Sequence, residues 1–178
     1  ATANKLQHLI TQKIQPLAME GGQVSIQIKA KSDGYYAKGM EDIEFLVAAN
    51  PGQPLLPLTK VASGGELSRI SLAISVITSE QQLVPCIIFD EVDVGIGGAT
   101  AETVGELLKQ LSANRQVMCV THQPQVASYG DHHLQASKQQ LNQQTSTQVE
   151  HLSAQQRIDE IARMLGGKTI SDTSKIMR

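Results

Sequence analysis

Ala62-Ser63-Gly64-Gly65-Glu66-Leu67-Ser68-Arg69 is followed about twenty residues on by Cys86-Ile87-Ile88-Phe89-Asp90-Glu91, and one further helix length later by Val120-Thr121-His122. From Ser63 to about Glu80 the apolar residues Leu67, Ile70, Ala73, Ile74 and Ile77 recur at the helical period. Val84 to Phe89 is an unbroken apolar run too short for a comfortable helix, which predicts a strand buried on both faces of a parallel sheet. Val104, Leu107, Leu108 and Leu111 predict the next helix, and Val117 to Val120 a second buried strand. Strand, helix, strand in this order predicts an α/β fold with a parallel sheet at its centre.

Outward from that middle the period changes. Leu6, Leu9, Ile10, Ile14 and Leu17 predict an N-terminal helix that stops near Pro16 and the pair Gly21-Gly22. Val24, Ile26 and Ile28 alternate with polar residues, and Ile43 to Ala48 reads as a second strand ended by Asn50-Pro51-Gly52. Gly34 and Gly39 bracket the turn of this antiparallel pair, and residues 53–61, with Pro54 and Pro57, read as a loop. Downstream, a short helix is expected over Pro124 to Ser128. His133–Ala136 and Thr147–Leu152 flank a Gln-rich loop as a hairpin at the sheet edge. Ser153 and Gln156 form a capping box for a last helix carrying Ile158, Ile161, Ala162 and Leu165, ended by Gly166-Gly167.

The bulk composition sets limits. At 178 residues, with 40% hydrophobic and 18% charged residues, the chain has the makings of one globular domain. A net charge of −2, three Tyr, two Phe and no Trp leave neither a long basic footprint nor stacking platforms, so nucleic-acid contacts are expected elsewhere. Cys86 and Cys119 sit in apolar runs and read as inert thiols suited to a reducing cytosol. No apolar stretch is long enough to cross a membrane.

The chemistry lies in the three quoted pieces. Ser63 can cap its helix and Glu66 can close the box, but two glycines in a first turn weaken a purely structural helix. They suit a helix start whose bare N–H groups and dipole receive phosphate oxygens. Asp90 and Glu91 end a strand at the edge where parallel sheets bind ligands. Adjacent strand residues point opposite ways, so one acid can hold magnesium and the other can orient attacking water. Asp93 reads as a solvated loop residue. His122, at the end of the neighbouring strand, can bond a terminal phosphate oxygen. Gly95-Ile96-Gly97-Gly98 lacks the third glycine of a dinucleotide fingerprint, since Thr100 stands in its place. Ala162 to Thr169 imitates a phosphate loop, but an amphipathic helix, not a strand, leads into its glycines.

These motifs resemble the ATPase heads of the ABC and SMC superfamily. Ser63-Gly64-Gly65-Glu66 is similar to its signature motif, Asp90-Glu91 to its second Walker motif and His122 to its switch histidine. The wording is nearest to the SMC-like bacterial proteins of recombinational double-strand break repair, in Asn50-Pro51-Gly52, Lys60 to Arg69, Ile88 to Asp93, Thr121 to Ala127 and Glu160 to Gly167. The resemblance implies a partial ABC/SMC-type head with a parallel sheet core, flanking helices and antiparallel edge strands. Residues 1–17 would root a coiled-coil arm and 18–178 form the C-terminal lobe. It implies ATP and magnesium as ligands, Asp90 on the metal through water, and Glu91 as base with His122 beside it. Ser63, Gly64, Gly65 and Glu66 would meet the γ-phosphate held by a second head. The implied partners are an N-terminal half carrying the Walker A loop, a second copy, DNA and recombination proteins, in a bacterial cytoplasm at the nucleoid. On this reading the chain alone does not hydrolyse ATP. The loop after Glu91 departs from most relatives, with glycines where a Leu-Asp pair is usual. A transporter ATPase subunit shares all three motifs but not the arm-like first helix, and a silent dimerisation module would show no nucleotide dependence.

Overall fold

Gln7 and Thr11 stand one turn apart on the first helix and both face the edge of a sheet. In this computed structural model, which describes residues 2–32, 37, 39–60, 63–79, 84–141 and 144–166, that helix is α1 (Thr2–Ile14). The edge strand is β1 (Gln23–Ala30), whose amides at Val24 and Ile26 donate to Thr11 Oγ1 (3.1 Å) and Gln7 Oε1 (3.2 Å). A free strand edge is thereby satisfied by side chains of a helix. β1 pairs antiparallel with β2 (Glu41–Ala48) from Gln23↔Ala48 to Ala30↔Glu41. A short β3 (Leu56–Pro57) adds to β2 inside the segment expected to be loop. Proline is tolerated there because β3 is an edge with only two pairings, Leu46↔Pro57 and Val47↔Leu56.

The centre follows the expected order: α2 (Gly64–Ile77), β4 (Cys86–Phe89), α3 (Gly98–Leu111), β5 (Gln116–Cys119) and α4 (Pro124–Ser128). β4 and β5 run parallel, with Ile87 opposite Val117 and Phe89 opposite Cys119. Their apolar runs are not buried on both faces as the sequence suggested. Ile87, Phe89, Val117 and Cys119 join the core, while Ile88 and Val120 are 65% and 61% exposed and Met118 shares their open side. α3 buries Val104, Leu107, Leu108 and Leu111 as its pattern required. α2 buries Ile70 and Ala73 of the stripe read from its sequence and packs Ile74 and Ile77 against the core. Leu67 is exposed, whereas Arg69, Leu72 and Val76 are buried. The helix is apolar around most of its girth and is gripped by both α1 and α3, so no single stripe defines its inner face.

β6 (Leu134–Leu141) and β7 (Gln144–His151) form a hairpin that takes in the Gln-rich stretch expected to be loop. Among the described residues it is its own two-stranded sheet, hydrogen-bonded to no other strand. α5 (Ala154–Gly166) starts on a complete capping box, Ser153 N to Gln156 Oε1 at 2.8 Å and Gln156 N to Ser153 Oγ at 3.4 Å. Ala162 to Gly166 are helical, which is why the segment is no phosphate loop. Gly34, Val61, Ala62, Glu80, Gly167 and Lys168 lie outside the described residues. One apolar cluster joins Ile10 and Ile14 of α1, Leu17, Val24, Val47, Ile70, Leu72, Phe89, Val104 and Leu111.

Candidate functional site

Both parallel strands run out at the same edge, and their next residues make the candidate site. β4 ends at Phe89, so Asp90 and Glu91 lie beyond it and strand alternation does not orient them. The chain turns sharply there: Glu91 adopts φ 58°, a left-handed conformation uncommon for a non-glycine residue. Its amide is held by Asp90 Oδ1 at 2.9 Å. Both acids are exposed.

This turn sends the Glu91 side chain toward the start of α2. A Cβ on Gly64 would stand 2.3 Å from Glu91 Oε2, and one on Gly65 would meet Val94 O at 3.0 Å, Arg69 Nη1 at 3.1 Å and Glu91 O at 3.3 Å. The glycine pair thus has a reason inside this chain: the loop after the acids packs against it. Ser63 is extended and its Oγ accepts from Glu66 N at 3.1 Å, but no return bond from Glu66 is present among the described residues. Ser68 Oγ donates to Asp90 O at 2.8 Å and the buried Arg69 donates from Nη1 to Val94 O at 2.9 Å. Burial pulls the Arg69 guanidinium below its ordinary value, with Glu66 opposing. Signature-like helix and acid loop are one hydrogen-bonded unit.

On its other side the loop grips the histidine. Asp93, read from sequence as solvated, is 1% exposed. Its Oδ2 accepts from Thr121 Oγ1 (2.5 Å), His122 N (3.0 Å) and Gln123 N (3.3 Å), and lies 3.4 Å from His122 Nδ1. The carboxylate is buried because it organises three donors at the end of β5; the sequence signal was an acid set between Val92 and Val94. Gln123 Nε2 donates back to Ile96 O at 2.8 Å. The His122 ring itself is open to solvent. Desolvation, then Asp93 and Asp90, push the Cys119 thiol up to about 12, so it is unreactive at neutral pH; Cys86 and Cys119 are both half-buried free thiols.

Ser63, Gly64, Gly65, Asp90, Glu91 and His122 therefore share one neighbourhood, joined through the loop 90–97. Sequence reasoning missed Ser68, Arg69, Asp93 and Gln123, which hold the neighbourhood together. Asp90 and Glu91 offer hard oxygen ligands of the kind magnesium takes.

No family model matches the chain. The DNA repair protein RecN of Vibrio cholerae is 50% identical over 172 residues, which are 97% of this chain and 31% of that protein. RecN of Haemophilus influenzae is 47% identical over 171 residues, 96% of this chain and 31% of its own length. The matched stretch is the C-terminal part of RecN. The chain spans about a third of the curated relatives it matches, 31% in both cases. Among solved structures, the Smc head domain with a coiled coil and joint from Pyrococcus yayanosii superposes with TM-score 0.63 at 18% identity, over 90% of this chain and 29% of that one. A chain from structural work on ATP-driven dimerization and DNA-stimulated activation of SMC ATPases gives TM-score 0.57 at 17% identity, over 94% of this chain and 96% of that one. The fold is that of an SMC head.

Proposed function

We propose that this chain, homologous to the C-terminal part of RecN and folded as an SMC head, is the C-terminal lobe of an ATPase head serving recombinational repair of DNA double-strand breaks. Residues 18–178 form the lobe and 1–17 root its coiled-coil arm. The observation that carries the reading is the single loop 90–97, which ties a glycine-opened helix start to a paired acid and a histidine at the ligand edge of a parallel sheet.

The donor chemistry fits a nucleotide and its metal. The carboxylates of Asp90 and Glu91 are exposed, and glycines at 64 and 65 leave the first turn of α2 bare of side chains. ATP and magnesium, when bound, supply the transferable phosphoryl group and the charge that offsets it. Asp90 would hold the metal. Glu91 takes the proton of the attacking water, and His122 bonds the terminal phosphate. Ser63, Gly64, Gly65 and Glu66 serve the nucleotide of a second head. In this chain the Glu91 side chain stands in front of Gly64, so engagement there requires the carboxylate to swing away.

The phosphate loop and its lysine are not among these residues, and we assign them to an N-terminal lobe. The open side of β4 and β5, with Ile88, Met118 and Val120, is the surface we assign to that lobe. DNA and recombination partners are reached through the whole protein, in the bacterial cytoplasm. No described helix is long and apolar enough to cross a membrane.

The test is reconstitution. This chain alone should not turn over ATP, because substrate positioning by the phosphate loop is lacking. Joined to the lobe that carries the loop it should, with magnesium. Glu91→Gln should abolish turnover yet hold ATP-bound heads together, and Ser63→Arg should abolish both turnover and pairing while one head still binds ATP. Magnesium-dependent hydrolysis by the chain alone, lost in Glu91→Gln, would overturn the two-lobe reading.

A further inference from the structure

We propose that Asp93 is a positioning residue that fixes which nitrogen of His122 carries the proton, holding the ring as the Nδ1–H form with Nε2 free to accept. The inference rests on the functional reading for its consequence, but its geometry stands apart from it.

Two neighbours meet the ring from opposite sides. Asp93 Oδ2 lies 3.4 Å from Nδ1, and an ionised carboxylate only accepts, so a proton on Nδ1 is the favourable arrangement. Gln123 Nε2 lies 3.4 Å from His122 Nε2. That Gln123 atom is a donor, because it also donates to Ile96 O at 2.8 Å, and a donor facing Nε2 requires an unprotonated nitrogen there. Acceptor on one side and donor on the other select the same tautomer. Neither neighbour is free to change its role. Asp93 is buried and held by the Thr121 hydroxyl and two backbone amides, while Gln123 is pinned to the carbonyl of Ile96 in the same loop.

As the Nδ1–H form the ring offers a lone pair at Nε2, which takes up a proton before it donates to the terminal phosphate, and Asp93 opposite Nδ1 steadies the resulting imidazolium. Asp93 is two residues from Glu91, so a shift of the loop that moves Glu91 off Gly64 also moves the carboxylate that orients His122. Side chain and ring are set by one backbone segment.

The test reads the ring directly. In the 178-residue chain labelled with ¹⁵N, long-range ¹H–¹⁵N correlation at a pH where the ring is neutral, assigned with His122→Ala, should show a protonated Nδ1 and an unprotonated Nε2. A dominant Nε2–H form in the unaltered chain overturns the proposal without recourse to any variant. Asp93→Asn, accepted only if its other resonances stay in place, should shift the ring toward Nε2–H, whereas Gln123→Leu should leave Nδ1–H dominant. The reverse pattern would transfer the role to Gln123 and sink the proposal. In the complete protein, Asp93→Asn should lower kcat about tenfold with KM little changed, as for other residues that orient a working side chain. It should add nothing on a His122→Ala background, and wild-type kcat in Asp93→Asn would overturn the role. A complete protein with no ATPase activity would refute the proposed function while the ring measurement still decides this inference.

Discussion

The two sides of the β4–β5 pair make the most instructive comparison in this molecule. They are built from the same kind of residue in adjacent positions. Phe89 is 5% exposed and Ile88, its neighbour, 65%. Ile87, Phe89, Val117 and Cys119 meet the core, while Ile88, Met118 and Val120 meet nothing in the described chain that shields them. An unbroken apolar run is the sequence of a strand covered twice. Here one cover is supplied by this chain, and we assign the other to a second lobe. A run of apolar residues reports how many layers a strand needs, not where those layers come from.

Substitution should separate the sides. Phe89→Ala should destabilise the chain by about 3–5 kcal/mol in urea unfolding, by lost burial and a cavity. Ile88→Ser should change it by less than about 0.5 kcal/mol, since its side chain is mostly in water already. If Ile88→Ser costs as much as Phe89→Ala, the open side is closed in solution by something within the chain. Mixed with the lobe carrying the phosphate loop, the order reverses, and Ile88→Ser becomes the variant that weakens association.

The acids repeat the contrast over a shorter span. Asp93→Ala should cost about 2–3 kcal/mol, because it strands the His122 amide and removes the short bond from Thr121 Oγ1, while the Gln123 amide keeps Thr121 Oγ1 at 3.0 Å. Asp90→Ala should cost next to nothing in stability and matter only to turnover. Equal, small losses in both would mean that water replaces the Asp93 carboxylate.

The glycine pair sharpens the same point. Gly65→Ala should lose about 1–2 kcal/mol, because its new methyl meets the fixed carbonyl of Val94 and the Arg69 guanidinium. Gly64→Ala meets only the end of the Glu91 side chain, which can move, so thermal unfolding should barely change. A larger loss at Gly64 than at Gly65 would show that Glu91 is held against α2.

Cys119, on the covered side, gives the smallest effect. Its proton is retained to about pH 12 in the folded chain but leaves near pH 9 when unfolded. The native state therefore binds more protons across that window, and stability falls as pH rises through it. At pH 10 the loss should be about 1 kcal/mol, absent in Cys119→Ala, as read from urea midpoints. Rapid alkylation of Cys119 at pH 8 would count against its burial.

Much of this was legible in the residues themselves. The α3 stripe, the α5 capping box, the antiparallel pair β1–β2 and the shared edge for Asp90, Glu91 and His122 follow from local periodicity and strand order, which depend on neighbours a few residues away. The tertiary structure alone decided the rest. It buried Asp93 and Arg69, turned Glu91 onto Gly64, made the Gln-rich stretch a strand and left Ile88 in the open. Each of these depends on groups far apart in sequence, such as Asp93 with Thr121 or Arg69 with Val94. A polar side chain is buried when distant donors or acceptors close around it, and no local pattern encodes their arrival.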